Sequence, residues 1–117
     1  LLKRTLPGPY TFILPGANSL PYPFKKKKTV GIRIPDNPIA LELVKALGNP
    51  IVSTSIHDED AILEYTTDPE LIFEKWCTKV DLVIDGGYGD NVPSTIVEIN
   101  GSDISIVREG KGTIDIF

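Results

Sequence analysis

The sequence predicts one mixed α/β domain containing both parallel and antiparallel strand pairs. Three observations carry this expectation. Short stretches rich in aromatic and β-branched residues, such as YTFIL (10–14), are bounded by Gly, Pro and Asn, as strands are. An amphipathic segment with cap residues at both ends lies between two such stretches, the order of a parallel crossover. Near the end of the chain, STIVEI (94–99) and ISIVRE (104–109) flank Asn100-Gly101-Ser102-Asp103, which predicts an antiparallel hairpin.

Taken in order, the strand over 10–14 follows the rigid turn Pro7-Gly8-Pro9. Residues 15–28 mix Pro, Gly, Asn and Ser with four consecutive lysines and read as an exposed loop. TVGIRIP (29–35) is a second strand, with Gly31 inside it where backbone or ligand approaches closely. A helix follows. Asp36 or Asn37 caps it, Pro38 suits its first turn, Ala40, Leu43, Val44 and Leu47 form one apolar face, and Gly48 ends it. Ile51-Val52 begins a third strand, expected over 51–55 beside 29–35. TDPE (67–70) reads as a capping box opening a second helix, with Ile72, Phe73, Trp76 and Val80 on its buried face. DLVIDGG (81–87) reads as an apolar strand running into glycines.

The bulk numbers narrow the function classes. The 117 residues suffice for one core, and 41% hydrophobic with 24% charged residues exclude a disordered chain. No apolar run approaches the roughly 18 residues of a membrane span. A net charge of −4 gives no global attraction to nucleic acid, although Lys25, Lys26, Lys27 and Lys28 cluster and acids gather between Asp58 and Asp68. Cys77 is the single cysteine, which fits a reducing, cytoplasmic setting, and with a single histidine, His57, a structural zinc site is not expected. The chain opens on Leu1, and LLKRTL lacks the order of a signal peptide, so part of a longer chain is expected.

Several residues invite a chemical reading beside a plain one. Alternation in 29–35 puts Thr29, Gly31 and Arg33 on one face, where a small residue beside a guanidinium leaves room for a carboxylate or phosphate. The plain alternative is an edge-strand Arg paired with a surface acid. Arg108 ends the last strand, where a solvated charge is the plain reading. Ser53, Thr54 and Ser55 form a row of hydroxyls at a strand's C-terminal end, the place where open α/β sheets bind ligands, or else they cap the turn that follows. Ser94 follows Pro93 at the start of a strand, where it caps or turns. His57 among acids is a general-base candidate or a solvated loop residue. No G-x-x-x-x-G-K-[ST] phosphate loop is present.

The pieces PGPYTFIL, TVGIRIPDNPIALELVKALGNPIVSTS, VDLVIDGG, PSTIVEI and VREG resemble, in sequence and spacing, the C-terminal part of the YrdC/YciO superfamily, the domains of threonylcarbamoyl-AMP synthases. The resemblance runs from Pro7 to Gly110. It implies a twisted, open sheet of mixed strand direction with flanking helices, YrdC/RibB-like, of which 1–117 is the C-terminal part and the N-terminal half, with its Lys-x-Arg signature, is absent. It implies a synthase that joins L-threonine, bicarbonate and ATP, assisted by Mg2+, into threonylcarbamoyl-adenylate for adenosine 37 of tRNA. Carried over residue by residue, Thr29, Ser55 and Arg108 contact ATP, and Arg33, Ser53 and Ser94 contact threonine. The family's Ser-Ala-Asn reads Ser55-Ile56-His57 here, which is closer to YciO-type paralogues. The alternative is therefore a binding module without synthesis, holding a nucleotide or tRNA through Lys25 to Lys28 with Lys3 and Arg4.

Overall fold

Alternation along the first strand decides where the core lies: Tyr10 and Phe12 are buried, whereas Thr11 and Ile13 turn to the other face and are half-buried. The computed structural model describes residues 1–16, 27–57 and 67–117. The chain forms two compact units, Leu1–Leu43 with Pro93–Phe117, and Val44–Val92.

The first unit opens with a single helical turn, α1 (Leu2–Thr5), which the sequence reading missed, and continues into β1 (Tyr10–Pro15). With β2 (Thr29–Ile32), β3 (Thr95–Asn100) and β4 (Asp103–Arg108), β1 builds an open sheet in the order β2-β1-β3-β4. The β1–β3 pair is parallel and both outer pairs are antiparallel, so the sheet is mixed as expected. Phe12 and Val97, neighbours across the parallel pair, are fully buried. Phe117 returns to them, its ring edge-on to Tyr10 at 5.8 Å and to Phe12 at 6.2 Å between centroids. The hydroxyl of Tyr10 donates to the Thr113 carbonyl at 2.9 Å. Thr95, also fully buried, donates its hydroxyl to the Gly112 carbonyl at 2.6 Å and accepts from the Gly110 amide at 3.0 Å. The hairpin forms where expected. Its two-residue turn puts Gly101 at φ +63° in the first central position, the backbone that suits a II′ turn.

Three expectations about strands are corrected. The second strand ends at Ile32, not Pro35. Its partner β1 is preceded by Pro9 and Pro7, which have no N–H to extend the ladder, and only Gly8 between them donates, to the Ile34 carbonyl at 2.9 Å. Residues 51–55 and 81–87 form no strand. Both carry apolar side chains without ladder partners among the described residues, and Val52 is 66% exposed and Leu82 74%. A strand exists only as a pair, so apolar composition alone does not make one. The strand–helix–strand crossover expected over 29–55 is therefore not formed.

Both predicted helices are present. α2 (Pro38–Leu47) is capped by Asn37, whose Oδ1 accepts from the Ile39 and Ala40 amides at 3.0 and 3.1 Å, and Gly48 follows at φ +86°. Its apolar face is only partly covered: Ala40 and Val44 are half-buried, whereas Leu43 and Leu47 are 45% and 57% exposed. α3 (Pro69–Trp76) is capped by Asp68 rather than Thr67, with the Asp68 carboxylate accepting from the Glu70 amide at 2.9 Å. The carboxylate suits the positive helix end and places Pro69 at the first helical position. No described helix is long and apolar enough to cross a membrane. Most of the loop expected over 15–28 and the acidic stretch after His57 lie outside the described residues.

A Cβ on Gly112 would lie 2.5 Å from the Tyr10 ring edge. Gly112→Ala is expected to lower unfolding free energy by about 1–3 kcal/mol, the usual cost of overpacking. Urea denaturation, with the m-value unchanged, measures it.

Candidate functional site

The sheet face opposite the Phe12 core is set by register. Thr11 pairs with Ile96, Ile13 with Gly31 and Pro15 with Thr29, while Ile96 pairs with Arg108. Because paired residues share a face, Thr11, Thr29, Gly31 and Arg108 belong to one side. Gly31 contributes no side chain, and a Cβ there would reach Thr11 Cγ2 at 3.6 Å, an ordinary contact, so glycine keeps the face shallow beside Thr11.

Ser94 and Arg108 meet on this face. Arg108 grips the start of β3 with one edge of its guanidinium: Nε and Nη2 donate to the Ser94 carbonyl at 3.0 and 2.8 Å, and Nη2 reaches Ser94 Oγ at 3.3 Å. Ser94 Oγ lies 2.8 Å from Thr11 Oγ1. Ser94 is buried and Arg108 half-buried. The solvated strand-end reading of Arg108 is thus overturned, for its charge is fixed to a backbone carbonyl and points one edge of the fork away from it. Residue reading had missed Thr11. The signal was available, since Tyr10, Phe12 and Leu14 inward means Thr11 outward, beside whatever begins the neighbouring strand.

The other candidates are placed as follows. Arg33 is exposed, one residue past β2. Thr29 pairs at the opposite end of β1 from Thr11, about 13 Å along the strand at 3.3 Å per residue, and lines a cavity of about 220 Å3 with Lys28, Glu98 and Asn100. Ser53 and Ser55 belong to the second unit, exposed on the extended segment before His57, which is exposed as well. Ser55 and Thr54 border an apolar groove of about 470 Å3 lined by Ile72, Trp76, Val80 and Leu82. Lys79 Nζ lies 5.2 Å from the Trp76 ring centre, within cation–π range, and the buried Trp76 Nε1 has no hydrogen-bond partner among the described residues. Among the described residues, no group of three or more His, Cys, Asp or Glu side chains is gathered to hold a metal ion.

Lysine is a point charge and cannot reproduce the fork on Ser94. Arg108→Lys is expected to cost about 1.5–3 kcal/mol of stability, the range for hydrogen bonds to a charged group. Thermal unfolding of the variant beside the unaltered protein gives the value.

Comparison with known proteins places these residues in context. The Sua5/YciO/YrdC family model, described as "Telomere recombination", matches residues 1–110. The chain is 42% identical over 120 residues to the YciO protein of Escherichia coli K12, covering all of this chain and 57% of that protein. It superimposes on the crystal structure of E. coli YciO with a TM-score of 0.85 at 40% identity, covering 97% of this chain and 56% of that one. It is also similar to the threonylcarbamoyl-AMP synthase of Pyrococcus abyssi, at 30% identity over 112 residues, 94% of this chain and 32% of that protein. The structure of P. abyssi Sua5 complexed with L-threonine matches with a TM-score of 0.76 and 29% identity, over 93% of this chain and 32% of that one. The chain thus spans a little over half the length of YciO.

Proposed function

The chain belongs to the Sua5/YciO/YrdC family, and on that premise we propose that it binds ATP and L-threonine and that, with bicarbonate, the protein makes threonylcarbamoyl-adenylate for modification of tRNA. The observation that carries the proposal is the Arg108 fork on Ser94, which presents a fixed cation beside a buried hydroxyl on the polar sheet face. Both substrates are anionic, so catalysis rests on positioning and charge neutralisation rather than on a protein nucleophile. In this reading the neutral threonine amine attacks bicarbonate carbon, and the hydroxide that leaves takes a proton from the nitrogen and departs as water, giving a carbamate. A carbamate oxygen then attacks the α-phosphorus of ATP and pyrophosphate leaves. Arg33 and Ser94 take the threonine, and Thr29 and Arg108 the nucleotide; the family resemblance also assigns Ser53 to threonine and Ser55 to the nucleotide. Bound with the ATP phosphates, Mg2+ would supply charge neutralisation for the pyrophosphate; among the described residues no group of three or more His, Cys, Asp or Glu is gathered to hold it, so the phosphates would be its main ligands. We assign residues 1–117 to the C-terminal part of one YrdC-like domain.

The relative named threonylcarbamoyl-AMP synthase and the relative solved with L-threonine support this substrate pair. The departure at Ser55-Ile56-His57 favours a second reading, in which the protein binds its ligands but synthesises weakly. The asparagine in the family's motif offers a neutral amide, both donor and acceptor, whereas an imidazole is bulkier and has different geometry.

Arg33→Ala is expected to weaken L-threonine binding about thirtyfold, equivalent to roughly 2 kcal/mol for a charge-assisted contact, and to leave ATP affinity within about twofold. Titration calorimetry with unchanged threonine affinity would refute that assignment. His57→Asn is expected to raise pyrophosphate release in the presence of threonine, bicarbonate, ATP and Mg2+. Rapid release by the unaltered protein removes the weak-synthesis reading.

A further inference from the structure

We propose that Thr11 is a positioning residue for Ser94, acting through the hydroxyl pair to set where Ser94 stands and which way its proton points. The inference rests on the functional reading above, in which Ser94 touches threonine and Arg108 the nucleotide.

The geometry supplies the reason. Ser94 Oγ has Arg108 Nη2 on one side at 3.3 Å and Thr11 Oγ1 on another at 2.8 Å. The guanidinium has only protons to offer, so Ser94 accepts there. Between the two hydroxyls either can donate. If Ser94 donates to Thr11, its single proton is used and none remains for a ligand. If Thr11 donates, Ser94 accepts twice, from Thr11 and Arg108, and its own proton is free for the carboxylate of a bound amino acid. A hydroxyl that accepts from a cation is polarised and donates more strongly. An anionic ligand therefore selects the second arrangement, in which the Thr11 proton holds Ser94 Oγ in place from the side away from Arg108. Thr11 touches neither reacting group. It works from the rigid centre of the sheet, while the Ser94 carbonyl stays in the Arg108 fork whatever the Ser94 hydroxyl does.

Valine tests this sharply. It matches threonine in shape but puts a methyl where the hydroxyl was, and a carbon does not approach an oxygen at 2.8 Å, the separation seen here. Ser94 Oγ must move by several tenths of an ångström. Serine at position 11 keeps the hydroxyl.

The experiment measures L-threonine and ATP affinities by calorimetry for the unaltered protein, Thr11→Val, Thr11→Ser, Ser94→Ala and the double variant Thr11→Val/Ser94→Ala, each first shown to be folded by circular dichroism. The expected result is an about three- to tenfold loss of threonine affinity in Thr11→Val, the worth of one hydrogen bond, with ATP affinity within about twofold. Thr11→Ser retains threonine binding, and Thr11→Val adds nothing in the Ser94→Ala background. Equal losses for both ligands, no recovery with serine, or a full additional loss in the Ser94→Ala background overturn the proposal. Failure of Thr11→Val to fold leaves the serine variant and the Ser94→Ala protein to decide: unaltered threonine affinity in Ser94→Ala overturns it. An unaltered protein that binds neither ligand overturns instead the functional reading on which it stands.

Discussion

Two adjacent residues fasten the sheet from both sides, and the rest of the first unit depends on them. Ser94 and Thr95 point to opposite faces at the start of β3. On the inner side the fully buried Thr95 hydroxyl is satisfied twice, by Gly110 and Gly112, and this draws the last residues across the core so that Phe117 closes over Tyr10 and Phe12. The Thr95 amide donates to the Pro9 carbonyl at 2.9 Å, locking the parallel pair in register. On the outer side the Ser94 carbonyl is taken by Arg108 and its hydroxyl by Thr11. Burying these polar groups unpaired would cost about 1–3 kcal/mol each, so the segments that satisfy them are fixed in place. A binding face built on this joint inherits its rigidity, as preorganised recognition requires.

Local signals were legible wherever the structure answers to local physics. The cap at Asn37, the stop at Gly48, the proline opening α3 and the glycine turn of the hairpin each concern a few neighbouring residues, and each is found. The strands read over 51–55 and 81–87 failed for a non-local reason. Their apolar composition is real, but a strand is completed only by a partner, and composition cannot name one. The cap of α3 shows the limit at finer grain: Thr67 and Asp68 both precede Pro69, and only the backbone reveals which side chain reaches the Glu70 amide.

The site was legible to a different degree. Residue types alone left Arg108 as a solvated charge and Ser94 as a turn residue. Family resemblance paired them with ligands, and the geometry adds that they are bound to each other. Alternation placed Thr29 and Gly31 correctly on the polar face, but it could not say that Thr29 stands at the far end of the sheet, because that follows from the β1–β2 register. Thr11 went unnoticed because its partner stands 83 residues away in the chain.

That separation bears on biosynthesis. The central pairing of β1 with β3 joins the beginning of the chain to a segment made much later, so YTFIL leaves the ribosome long before Val97 exists to cover Phe12. At about 5–20 residues per second, the interval is on the order of ten seconds. Throughout it the nascent chain displays an aromatic, β-prone segment whose β3-facing edge has open backbone groups, the kind that pairs with neighbours on a polysome. The Pro-Gly-Pro before this segment and the lysine run after it flank it with a stretch poor in ladder donors and a repelling charge, so the sequence carries its own protection through that interval.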